Sequence, residues 1–516
     1  MKLFVISIIA LSITTADGQF LKRTFRLNQA DSTQPQPSSN AVSQILISNG
    51  RVLLGSGDGL NISTDGGRSF ETDFGKNGPT GVSLYAIAAK GDTIVTAVGT
   101  SATIDGEDHN VGQGLFASTD GGTTWTKEPQ SIDSTYDSTV TFGKDTLKAT
   151  PVTVTVDNVT YSLVFHKGYV YSANFAGALR RSNDLGKTWQ RVVLPPDYLD
   201  YITQDSSNYT FQLSPVSGRI TSENNYNHRV FSLYADGDSV LYVGTADGIN
   251  KSTDNGYSWR KFTHDNTLNG ISGNFVVFIN GQNFGTIHNI WGATVLANGA
   301  SERSGLSYTT DNGATWSNLL DGHFFHGMAF QDSIVYGASD DGLFRTSDLG
   351  QTSIATTNVF DQITRQSILS QAFYTVATNR DSVWIGTGDG SAVGVDNGTG
   401  VDPSTWHVFK AAPVVQGNTT FFYPNPFSPR LMIGRIHYPL PKNQQSQVTI
   451  RIYDFSMHIV RTLLQNAARS SALNGVSEDQ WDGASDRGGL VDNGVYFYSV
   501  VVNGGSPSWG KILVIR

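Results

Sequence analysis

Residues 230–262 read VFSLYADGDSVLYVGTADGINKSTDNGYSWRKF. Val230 to Tyr234 alternates apolar and polar residues as a half-buried strand does, and Ala235-Asp236-Gly237-Asp238 makes a turn. Val240 to Thr245 is a second strand, ended by Asp247-Gly248. Ile249 to Ser252 is a third, and Ser258 to Phe262 is a fourth. Four short strands joined in order by hairpins make one blade of a β-propeller.

The turn before the fourth strand has its own pattern: a hydroxyl residue, any residue, Asp, any residue, Gly, two more residues, then an aromatic. It occurs at Ser63–Phe70, Ser118–Trp125, Ser182–Trp189, Ser252–Trp259 and Thr309–Trp316. Thr346-Ser347-Asp348-Leu349-Gly350 lacks the aromatic, and Asp396-Asn397-Gly398 is weaker still, with Trp406 arriving late. Each residue type has a physical task. Asp accepts hydrogen bonds from nearby N–H groups, the hydroxyl adds a second local bond, and Gly takes the positive φ of the turn. The aromatic starts the next strand and fills the blade core. Counting such frames gives seven, near 41–74, 81–128, 158–194, 229–262, 274–319, 326–357 and 369–410.

The repeat resembles the Asp box, or BNR repeat, of sialidases, xyloglucanases, sortilin-type receptors and a photosystem assembly factor. The resemblance covers residues 41–410 and implies an all-β fold, a β-propeller; the frame count makes it seven-bladed, with six or eight blades left open because the last two frames are degenerate. It implies no single activity, because the box is a folding element in those families. Asp65, Asp120, Asp184, Asp254, Asp311 and Asp348 are therefore read as structural.

Blade topology separates two faces. Turns between strands one and two, and between three and four, share one face; turns between strands two and three share the other with the links between blades. The connections on the second face are long: 101–113, 129–157, 195–228, 263–273, 292–304 and 351–368. Function concentrates in long loops on a rigid scaffold, so this is the expected binding face. Its candidate ligand-binding residues are the turn acids Asp58, Asp247, Asp341 and Asp389, the inserted Asp108 and His109, and the aromatics Tyr226 and Trp291. Tyr136, Tyr198, Tyr201 and Tyr209 lie in the same connections.

Signals for catalysis are sparse. The Arg-Ile-Pro motif of sialidases is absent, and a xyloglucanase-like site needs two carboxylates facing across a cleft. No Gly-x-Ser-x-Gly elbow, phosphate-binding loop or His-Glu-x-x-His zinc motif occurs. Cysteine is absent too, which removes disulfides, thiolate metal sites and cysteine nucleophiles. No catalytic residue, metal site or cofactor is assigned. A formal net charge of -9 over 516 residues speaks against a nucleic-acid partner.

The two ends of the chain concern address. Lys2, the apolar run Leu3 to Ile13 and Ala16-Asp17-Gly18 form the pattern of a signal peptide over residues 1–18. Residues 19–40 read as an extension, and no later stretch is long and apolar enough for a transmembrane anchor. A linker at 411–420 leads to a second unit, 421–516, whose short strands suit a small β-sandwich. This unit resembles the Ig-like domain of flagellar hook-capping proteins through Asn425-Pro426-Phe427, Ile450 to Asp454, Trp481-Asp482-Gly483 and Gly494 to Tyr498. It is also similar to C-terminal sorting domains of the type IX secretion system, which implies a bacterial protein and outer-membrane secretion machinery as a partner. The whole reads as a secreted or cell-surface recognition protein, exported through the periplasm, whose propeller binds a protein or glycan without catalysis. The alternatives are a glycoside hydrolase working through carboxylates of the loop-rich face, and a structural component of a surface or secretion assembly.

Overall fold

The computed structural model describes residues 36–75, 77–214, 225–267, 269–297, 299–364, 366–411, 420–441, 444–470 and 476–516. The expected signal peptide, residues 19–35 of the extension and residues 412–419 of the linker lie outside them. Contacts divide the chain into two compact units, one of Gln36–Val359 with Ile368–Ala412, the other including Pro413–Arg516.

The first unit is an all-β propeller. Its fourth sheet shows the plan: Val230–Asp236, Val240–Thr245, Gly248–Ser252 and Trp259–Phe262 follow one another as antiparallel neighbours. The same order recurs in sheets that begin at Ser83–Lys90, Thr160–His166, Phe275–Phe284, Phe325–Gln331 and Phe373–Asn379. The first sheet has three strands, from Val42–Ser48 to Gly59–Ser63, and two isolated bridges, Ile62 to Glu71 and Gly59 to Thr80, where a fourth would run. The first strand of each sheet touches the first strand of the next, and the last touches the first, so the seven close a ring.

Closure explains the burial. Blades stack face to face, so a second strand is covered on both sides and stops alternating. Arg51–Ser56, Tyr169–Asn174, Val240–Thr245, Ile334–Ser339 and Ser382–Thr387 are each buried from their second residue onward. The cores are shared between neighbours: Val42, Leu54 and Phe70 of the first sheet pack with Trp384 and Phe409 of the seventh. The ring is latched by Asn40, whose carbonyl accepts from Gly390 N–H at 2.7 Å. Its side chain accepts from Ala411 N–H, also at 2.7 Å.

The recurrent turn has one bonding pattern. Ser118 Oγ donates to Asp120 Oδ1 at 2.8 Å and accepts from Gly122 N–H at 2.9 Å. Asp120 accepts from the Thr124 N–H at 2.9 Å and hydroxyl at 2.6 Å. Asp65, Asp184, Asp311 and Asp348 repeat all four bonds. Asp348 does so without the aromatic, so the bonds and the packing are separable. At Asp254 the Ser258 hydroxyl bonds Thr203 instead. The weak seventh copy is a different object: Asp396 is buried and pairs with Arg345 and the Tyr336 hydroxyl.

Two of the long connections are not free loops. Thr139–Phe142, Asp145–Ala149 and Gln212–Leu213 form a small sheet, and Tyr201–Ile202 adds a fifth strand beside Trp259–Phe262. Their apolar residues join the core of the third and fourth sheets, where Phe142, Leu147, Phe211 and Leu213 are buried with Val192 and Trp259. The 101–113 connection is also structured, as the tip of a hairpin between Thr93–Ile104 and Glu107–Ser118.

The second unit has two antiparallel sheets. One holds Phe421–Tyr423, Gly434–Pro439 and Val476–Trp481; the other holds Gln445–Tyr453, Ile459–Ser470, Gly494–Val502 and Ser508–Val514. Residues from both sheets, including Phe427, Tyr438, Ile450, Trp481, Tyr498 and Ile512, share one core.

Candidate functional site

Every first strand of the ring carries a register shift near its start. The extra residues are Ser43, Tyr85, Tyr161, Phe231, Val277, His326 and Tyr374. A bulge leaves its residue outside the ladder and re-aims the side chain. All seven residues line one axial cavity of about 990 Å³. First strands begin on the face that carries the blade links, so the bulges form a collar at that end of the axis. Partners opposite the residue after each bulge are small: Gly55, Ala97, Ala173, Gly244, Ala293, Ala338 and Gly386. Small residues are needed because the next blade approaches closely there. A Cβ on Gly55 would lie 2.6 Å from Leu84, and one on Gly244 would lie 2.8 Å from Val276.

The collar is largely aromatic and its rings touch. Tyr85 meets Tyr161 edge-on at 6.1 Å, Tyr161 stacks on Phe231 at 5.6 Å, and Phe231 meets Phe275 at 4.5 Å. Across the ring His326 meets Tyr374 at 5.5 Å and Phe324 at 4.9 Å. Such pairs prefer edge-to-face or offset geometry, and they hold one another in place. Polar groups fix the hydroxyl ends: Tyr85 donates to Asn110 Oδ1 at 3.2 Å, and Asn110 Nδ2 donates to the Tyr161 hydroxyl at 3.3 Å. Burial pushes both phenols up. His326 Nε2 is 2.7 Å from Asp340. Tyr374 keeps 37% of its surface exposed, so the collar is open to a ligand.

None of the candidate residues read from the sequence lines this cavity. Asp58, Asp247, Asp341 and Asp389 share a turn in which a hydroxyl two residues earlier accepts the Asp N–H and donates to the following Gly carbonyl. Their backbones make the hairpin, and three of the carboxylates go to separate partners: Asp247 to Lys261, Asp341 to His323 and Asp389 to Lys410. Asp58 is exposed. Burial pushes Asp247 up to about 6, against the pull of Lys261. Asp108 accepts from the Thr103 hydroxyl at 2.7 Å. His109 pairs with Asp157 at 3.1 Å. Tyr226 is half-buried, with Arg229 5.8 Å from its ring centroid.

Trp291 is a correction. It is no loop aromatic but a residue of the strand Ile287–Val295, with none of its surface exposed, stacked on Tyr308 at 4.5 Å. Tyr209 is likewise packed against the core beside Phe142, whereas Tyr136, Tyr198 and Tyr201 are exposed. Among the described residues, no three His, Asp or Glu side chains converge as a metal would require. No helix there is long and apolar enough to cross a membrane.

No protein-family description matches the chain, and no curated protein does either. Among solved structures the chain is similar to YCF48 from Cyanidioschyzon merolae, at 15% identity over 73% of this chain and 97% of that one, with a TM-score of 0.42. It is similar to the GH74 enzyme of Niastella koreensis at 14% identity, over 92% of this chain and 73% of that one, with a TM-score of 0.47. It is similar to PorZ, a surface component of the type-IX secretion system of Porphyromonas gingivalis, at 15% identity over 92% and 87% of the two chains, with a TM-score of 0.29. At identities of 14% and 15% the ligand has to be read from this chain's own side chains.

Proposed function

We propose that this chain is an exported recognition protein that holds a segment of a protein ligand in the axial collar. The observation that carries the reading is the repeated bulge, which turns Tyr85, Tyr161, Phe231, His326 and Tyr374 toward one cavity. Hairpins need no such bulge, and repeating it costs ladder bonds in every blade. Rings around an apolar mouth suit a bulky side chain of a partner, as anchor residues of protein interfaces do. The lining also carries hydroxyl and amide side chains, among them Ser43, Gln44, Asn280, Asn283 and Thr378, so a sugar is the ligand class that the test sets against a peptide. The apolar start of the chain supports export, and the resemblance of residues 421–516 supports an outer-membrane route.

The test uses residues 19–516 against a displayed peptide library and a glycan array, with Phe231→Ala and Tyr374→Ala beside the parent. Peptide binders that weaken at least tenfold in both variants are the expected outcome. Glycan binding lost in the same variants would keep the collar and replace the ligand class. Binding indifferent to both variants would sink the collar.

A further inference from the structure

In the second blade the axial strand is shorter than its neighbour. Ser83–Lys90 pairs with the following strand only as far as the couple Ser83–Gly99, whereas Thr93–Ile104 runs on beyond Gly99. Before Ser83 the chain turns away toward the first blade, where Thr80 bridges Gly59 and the Gly81 N–H donates to the Asp58 carbonyl. Thr100 to Ile104 pair with Val111 to Glu107 on one side. Among the described residues no strand pairs with them on the other. That vacated side is the one Ser83–Lys90 fills lower down, so it faces the axis above the collar. Tyr85, a collar residue, lies at its foot: a Cβ on Gly99 would come within 2.8 Å of the Tyr85 ring.

Alternate residues of such a strand aim N–H and C=O at the open side. Proteins blunt an open edge with lysine, proline or a bulge. Thr100-Ser101-Ala102-Thr103-Ile104 has none of these, and all but Ala102 are exposed. The edge is also held in place from behind. The Asp157 N–H donates to the Asn110 carbonyl at 2.7 Å, the Gly112 N–H donates to the Thr155 carbonyl at 2.9 Å, and His109 pairs with Asp157. A strand fixed in advance has little left to lose in entropy when a partner joins it.

Building on the collar reading, we infer that the partner segment lies as an added β-strand along Thr100–Ile104 and turns one side chain down into the rings. A row of alternating donors and acceptors at strand spacing is matched by another extended polypeptide. Asp105, Glu107 and Asp108 are exposed at the tip of the hairpin, so a basic residue at the end of the added strand complements it.

The probe is the peptide Lys-Thr-Val-Thr-Phe-Thr-Val-Thr-Lys, offered to residues 19–516, with affinity read by calorimetry and amide exchange by mass spectrometry. Saturable binding is expected, with exchange at Thr100–Ile104 slowed at least tenfold. N-methylation of one alternate set of peptide amides should weaken binding at least tenfold, and methylation of the other set should not. Replacing the peptide's Phe by Ala, or Phe231→Ala in the chain, should weaken it as well. Binding that needs both aromatics but ignores N-methylation, with exchange unchanged, overturns the added strand and leaves the collar. Exchange slowed at Thr100–Ile104, with binding indifferent to both aromatics, keeps the strand and sinks the collar. Absence of binding overturns the strand, and the library screen then decides the collar by itself.

Discussion

Asp311 accepts from the Thr315 N–H at 2.9 Å and from the hydroxyls of Thr315 and Thr309 at 2.6 and 2.8 Å. The Thr315 bonds are the main cause that holds its carboxyl at about 2. A carboxyl lowered on folding stabilises the native state at pH above its unfolded value near 4, and that contribution disappears as pH falls toward 2. Asp311→Asn should therefore lower the melting temperature at pH 7 and leave it nearly unchanged at pH 2. A gap between parent and variant that stays constant across this window would refute the linkage. The turn acids were legible because their bonds are local: a hydroxyl, an Asp and a Gly within five residues contain the whole device. Trp291 was not, since nothing in Ile290-Trp291-Gly292 states that a neighbouring sheet will cover both faces of the strand.

In the strand, the bulge likewise has no local signature. Val230-Phe231-Ser232-Leu233 reads as plain alternation, and the register shift appears only against Gly244 on the facing strand. The small partner was the available signal, in the recurring pairs Gly55-Ser56, Ala173-Asn174, Gly244-Thr245, Ala338-Ser339 and Gly386-Thr387. Gly244→Ala tests how tight the approach is. Its Cβ would lie 2.3 Å from Ser232 Oγ, 2.8 Å from Val276 Cγ1 and 2.9 Å from the Val276 carbonyl. The serine hydroxyl can rotate away, but the backbone of the next blade cannot. Overpacking of this kind costs about 1–3 kcal/mol. Urea unfolding should show that loss, whereas Ala173→Gly, which only removes a methyl, should cost about 1 kcal/mol. Equal and negligible effects would mean that the blades yield at this position.

The whole molecule depends on a closure that pairs residues hundreds of positions apart. Counting frames predicts how many blades enter the ring, but the joint between first and last involves no local pattern. Here it is made by Phe70 on Phe409 at 5.4 Å, by Trp384, which stacks on Phe409 at 5.6 Å within the seventh sheet and packs with Val42 and Leu54 of the first, and by the two bonds of Asn40. Trp384→Ala removes a large buried side chain at the seam and should cost about 3–5 kcal/mol. The second unit's core cluster contains residues from Phe422 to Val514 and none from the propeller. A unit with its own core unfolds on its own, so calorimetry of the full chain should resolve two transitions. Trp384→Ala should lower one of them and leave the other in place. Truncation after Ala411 keeps both partners of the Asn40 latch and should abolish only the transition that Trp384→Ala does not move. A single transition, shifted as a whole by the seam variant, would show instead that the two units fold as one.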